Sequence, residues 1–149
     1  MPVAGGGATV QVVHHYQDHD TDEVDMIPPV QNTWYEVFDA EDVRLIWCYC
    51  YQKNDEAAAK DVEIRWTIDG NVYFSSVGLL DDTDRYVYRN RDPSAGGTEG
   101  LSFDAVKYSA AYHVDKRGHR FKVEIRMTEA VGTNQILRCR CVRETLEET

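Results

Sequence analysis

The residues whose type and spacing first suggest chemistry are the chain's four cysteines. They form two C-x-C pairs, Cys48 and Cys50 in LIWCYCY and Cys139 and Cys141 in LRCRCV. Four thiolates suit a tetrahedral zinc ion, but zinc knuckles place longer spacers on turns so that both sulfurs converge. On an extended strand, residues i and i+2 share a face and spread along it, which makes zinc the weaker reading. Disulfides need opposed cysteines with Cα atoms within about 7 Å and an oxidising compartment. The reading adopted is that Cys48, Cys50, Cys139 and Cys141 are small buried hydrophobes, close across neighbouring strands and metal-free. Disulfides formed after release from a cell are the runner-up.

Other candidates resolve into solvated or turn residues. His14, His15 and His19 sit among Asp18, Asp20, Asp22 and Asp25, an alternation resembling a calcium loop. Glu23, however, stands where that loop needs glycine, so the segment reads as an acidic arm. Asp81-Asp82-Thr83-Asp84 reads as a turn that satisfies its own backbone. There is no G-x-S-x-G or H-E-x-x-H, and Ala95-Gly96-Gly97-Thr98 lacks the lysine of a phosphate loop. His113 and His119 flank the turn DKRG and read as solvent-facing. The expectation is no enzyme, no catalytic residue, no metal and no cofactor.

The elements that must position these residues follow from composition and period. The 149 residues suffice for one domain with a core of its own. A net charge of −10 with no basic run argues against nucleic acid and anionic membrane as partners. No apolar run approaches the roughly 20 residues of a membrane-crossing helix. MPVAGGGATVQ lacks the pattern of a secretory signal, so synthesis in a host cytoplasm is expected. Cations are mostly Arg and anions more often Asp than Glu, a bias that salt-adapted surfaces and GC-rich genomes both produce.

Residues 1–28 read as an N-terminal arm: flexible, then briefly apolar at Val10 and Val12, then acidic, ending at Pro28-Pro29. Residues 29–149 are expected to form one β-sandwich domain, and from Gln31 onward the period is two almost throughout. Strands are expected at 32–38, 43–51, 62–68, 72–76, 84–89, 101–114, 120–127 and 135–143, with Asp69-Gly70 as a tight hairpin turn. DEAAAK at 55–60 is the one helical stretch. About eight strands at ten-residue intervals predict an all-β fold, an antiparallel β-sandwich or jelly roll with an extended arm.

Strict alternation along 43–51 puts Cys48 and Cys50 on one face with Arg44 and Ile46, and Trp47, Tyr49 and Tyr51 on the other. A tyrosine-rich face suits an interface. The candidate interface is therefore Trp47, Tyr49 and Tyr51 together with Val10 and Val12, whose short strand would add to a neighbouring subunit. Trp34, Trp47 and Trp66 with the tyrosines also permit an alternative, a carbohydrate- or receptor-binding module with a glycan as ligand.

The segments NTWYEVF, VEIRWTIDGNVYF and RFKVEIRMTEAVGTN, within residues 31–144, resemble small virion proteins of tailed bacterial and archaeal viruses. The likeness lies in strand and turn residues and carries over no catalytic or ligand residue. It implies a β-sandwich building block that decorates a capsid or belongs to a tail or spike. Such a protein is located in the virion, assembles as a homo-oligomer, commonly a trimer, and contacts other virion proteins.

Overall fold

The computed structural model describes residues 12–16, 22–92, 98–105 and 118–148. Their regular structure is all strand: β1 (Val12–Tyr16), β2 (Asp22–Met26), β3 (Tyr35–Lys53), β4 (Lys60–Ile68), β5 (Asn71–Leu79), β6 (Thr83–Asp92), β7 (Thr98–Asp104), β8 (Gly118–Met127) and β9 (Ile136–Glu148). Every pairing is antiparallel, and all nine strands belong to one hydrogen-bonded sheet. The expected hairpin forms at Asp69 and Gly70, whose φ angles of 50° and 82° are those a primed turn requires. It holds β4 and β5 in register from Lys60 opposite Leu79 to Ile68 opposite Asn71.

DEAAAK is not helical. The Asn54 side chain captures this backbone instead: its Oδ1 accepts from the Glu56 amide at 2.7 Å and its Nδ2 donates to the Ala58 carbonyl at 2.7 Å. Ala57 takes a φ of 50°. A short polar side chain that bonds its own backbone competes with a first helical turn, and here it wins.

The two strands expected at 32–38 and 43–51 are one strand of 19 residues, β3. Val43 pairs with Gly118 of β8 and Thr145 of β9 at once, while Cys48–Gln52 pair with β6 and β9 at once. A strand has only two edges. Therefore β9 runs along one edge of β3, and β8 and β6 occupy successive lengths of the other. From there the sheet forks, one branch continuing through β4 to β5 and the other from β6 to β7. β5 and β7 approach each other at the far ends. One apolar cluster joins the inner faces, with Ile64, Trp66, Phe121 and Ile125 from the first branch, Val87 and Leu101 from the second, and Leu45 and Leu137 from β3 and β9.

Two bulges set which side chains of β3 enter that cluster. The pairing steps from Leu45–Arg143 to Trp47–Val142, leaving one extra residue on β3. Val43 and Leu45 are buried before the step, and Cys48, Cys50 and Gln52 after it. Strict alternation fails at this point: the cysteines share the inner side with Val43 and Leu45, rather than a face with Arg44 and Ile46. A second shift between Glu36 and Phe38 leaves adjacent Val37 and Phe38 both buried.

Part of the segment expected as an arm lies on the chain's own sheet. β1 pairs with β9 from Val12–Glu148 to Tyr16–Glu144, and β2 from Asp22–Cys141 to Met26–Leu137. β2 ends before Pro28-Pro29. An edge strand asks only for backbone pairing, so acidic side chains are no obstacle, and Asp25 meets the Arg138 guanidinium at 2.9 Å. Val10 lies outside the described residues.

Core and rim should differ sharply under mutation. Phe121 is fully buried, with ring centroids 5.5 Å from Phe38 and 5.7 Å from Trp66. Phe121→Ala is expected to cost about 3–5 kcal/mol in urea denaturation. Val72→Ala, at an exposed position, should stay within about 0.5 kcal/mol. Similar losses for the two would contradict the assigned core.

Candidate functional site

The cysteines meet because β3 and β9 pair in a register that sets Cys48 opposite Cys141 and Cys50 opposite Cys139. All four are free thiols and fully buried. Cys48 Sγ lies 3.7 Å from Cys139 Sγ, and the sulfurs of Cys48, Cys139 and Cys141 lie within 4.8 Å of one another. Burial pushes the Cys48 and Cys139 thiols well above the usual 9.0. They are protonated and shielded, the reverse of a reactive thiolate.

Two residues beyond Cys50 on the same face, Gln52 closes this end of the core. Its Nε2 donates to the carbonyls of Ala58 (3.1 Å) and Leu79 (3.0 Å), and its Oε1 accepts from Asn54 (3.1 Å) and Gln135 (2.9 Å). Gln135 also donates to the Lys53 carbonyl at 3.0 Å. This buried amide network floors a cleft of about 360 Å³ lined by residues of the 54–60 and 132–135 turns. Within the cleft, Asn134 donates to Asp55 at 2.7 Å and Lys60 pairs with Glu56 at 3.4 Å. Sequence reading missed the network. The signal was available in Gln52, a polar residue at an inward position of an otherwise apolar row.

The outer faces carry aromatic and charged side chains. Across β3 and β6, Trp47 stacks on Tyr49 at 5.3 Å, and Tyr86 lies 6.2 Å and 5.6 Å from those two rings. Tyr51 donates to Asp82 at 2.7 Å and lies 5.4 Å beneath the Arg138 guanidinium. The Asp82 hydrogen bond, followed by partial burial, pushes the Tyr51 hydroxyl up to about 12. Trp47, Tyr49 and Tyr51 thus sit outward, opposite the cysteines, and half-buried. Val12 lies in β1 on the β9 edge, away from their strand.

Across β4 and β8 the outer face is a cross-strand charge ladder. Arg65 holds Glu124 through both carboxylate oxygens, at 2.8 Å and 2.9 Å, Lys122 approaches Glu124 at 3.6 Å, and Arg126 pairs with Glu63. Trp34 lies against both guanidiniums, 4.1 Å from Arg65 and 4.5 Å from Arg126, and meets Phe74 of β5 edge-on at 6.3 Å. Beside it, Val72 and Phe74 are 62% and 49% exposed. His119 is exposed, 3.4 Å from Asp42, and His113 lies outside the described residues. No family model and no curated protein matches this chain.

Glu124 gives the charge ladder a pH signature. The Arg65 hydrogen bonds hold its carboxyl below the ordinary 4.5 despite its burial. A carboxylate whose pKa is lower folded than unfolded contributes stability above its unfolded pKa and loses it as pH falls through the folded one. Glu124→Gln should therefore destabilise at neutral pH, and its deficit against wild type should shrink as pH drops below about 4.5. A deficit unchanged between neutral pH and about pH 3, by urea denaturation, would refute this assignment.

Proposed function

We propose that this protein is a structural assembly unit of a virion, a capsid-decoration or tail or spike component, which acts through contacts between copies of itself and with other virion proteins. The two branches of the forked sheet serve as the layers of a β-sandwich in this reading. The observation that carries it is strand β5. Its sequence, NVYFSSVGL, holds neither a charged residue nor a proline over nine residues. Among the described residues it pairs only with β4; β7 comes near without pairing. Monomeric proteins blunt such edges with lysine, proline or a bulge, because bare backbone groups recruit further strands. Here the edge is instead flanked by exposed Val72 and Phe74.

The occupant of that edge is another copy of the chain. If β5 pairs with β5, a closed two-fold dimer results. If β5 pairs with a different edge of the next copy, the heterologous contact closes a ring, the arrangement a trimer needs. The trimer is the state implied by the resemblance to virion proteins.

Native mass spectrometry and light scattering should find a discrete oligomer. Val72→Lys with Phe74→Lys places charge on exposed side chains at the edge and should shift the mass to that of a monomer with an unchanged circular dichroism spectrum. A wild type that stays monomeric at every concentration, or a double variant that assembles equally well, would rule the reading out. Selective hits on a glycan array by a monomer would favour the binding-module alternative.

A further inference from the structure

The objection to a metal at the two C-x-C pairs is one of spacing, since a flat strand spreads its sulfurs. The geometry here removes it. Opposed register brings two pairs onto one patch of the inner surface, so convergence comes from across the strands rather than along them. A zinc ion bound to sulfur at about 2.3 Å in a tetrahedron needs its sulfurs about 3.8 Å apart. Cys48 and Cys139 stand at 3.7 Å, and Cys141 lies within 4.8 Å of both. The fourth cysteine, Cys50, is directly opposite Cys139 and equally buried.

Two further observations point the same way. The cluster takes three of the chain's four cysteines, and the fourth, Cys50, is buried opposite one of them. The bulge at Leu45–Trp47 lies just before Cys48, and without its extra residue Cys48 and Cys50 would face outward. A bulge that re-aims side chains beside a functional site is a recurrent device. Packing alone would be met by valine or alanine; cysteine differs from them in its affinity for soft metals.

We propose that Cys48, Cys139 and Cys141, with Cys50 as the fourth ligand, bind one thiophilic metal ion of the zinc or cuprous class. Each ligating thiol gives up its proton to solvent as its sulfur joins the metal, so no oxidant is required. Coordination also offsets the cost of placing negatively charged sulfur in a dry core. The ion ties β3 to β9 at the centre of the sheet. This site is independent of the assembly reading and stands or falls without it.

The test uses the full, untagged chain, purified with reductant and without chelator. Elemental analysis should find about one zinc or copper ion per chain, the metal found distinguishing the two ions. Chelator should lower the melting temperature and added zinc restore it. Cobalt(II) added to the metal-free protein should give the intense visible bands of a tetrahedral thiolate site. Cys139→Ala should cut metal affinity by about tenfold or more. Since that variant removes a core side chain, the wild-type results decide. A folded wild-type protein with four titratable thiols, no bound metal and no cobalt bands would overturn the proposal. So would a protein whose cysteines are paired as disulfides.

Discussion

At Val43 and along Cys48–Gln52 strand β3 is paired on both edges, and one of those edges is divided between two partners. That constraint organises everything else in the structure. Because β9 takes one edge of β3 from Val43 to Lys53, β8 and β6 must share the other, and the sheet has to fork. The fork gives the chain a core: Trp66 and Phe121 on one branch and Val87 and Leu101 on the other fall within one buried cluster. The bulge between Leu45 and Trp47 then decides which side of β3 faces that cluster. One extra residue buries Cys48, Cys50 and Gln52 and leaves Trp47, Tyr49 and Tyr51 outside.

Electrostatics follows the same division. The charges of β4 and β8 alternate with buried Val62, Ile64, Trp66, Val123 and Ile125, so they collect on the outer face, where opposite signs meet across the strand pair. Individually such half-exposed pairs contribute little. As a ladder with Trp34 laid on two guanidiniums, they line the outer face of that branch, whose uncharged β5 pairs, among the described residues, only with β4.

Much of this was legible in the sequence. Period-two alternation located β4, β5, β8 and β9 within a few residues, and Asp69-Gly70 fixed the tightest hairpin. Three features were hidden, each for a physical reason. A bulge has no side-chain signature of its own, so the parity of β3 could not be read from its alternation. The 55–60 stretch has helical composition, yet one asparagine upstream redirects its backbone. The acidic run before Pro28 reads as an arm, but pairing at an edge involves the backbone, and Asp22–Met26 pair with β9 whatever their charge. Sulfur convergence was hidden more deeply, because it depends on the register between strands whose cysteines lie 91 residues apart.

The claim on which the functional account rests is that the β5 edge takes a partner strand from another copy. Hydrogen exchange across a concentration series tests it most directly, because strand addition protects the amides that point away from β4. The account predicts that alternate amides of Asn71–Leu79 exchange more slowly as concentration rises, while the amides of Cys48–Gln52 in β3, paired on both edges, stay slow throughout. Exchange in β5 that is the same at every concentration, or protection that builds up on a different strand, would contradict it.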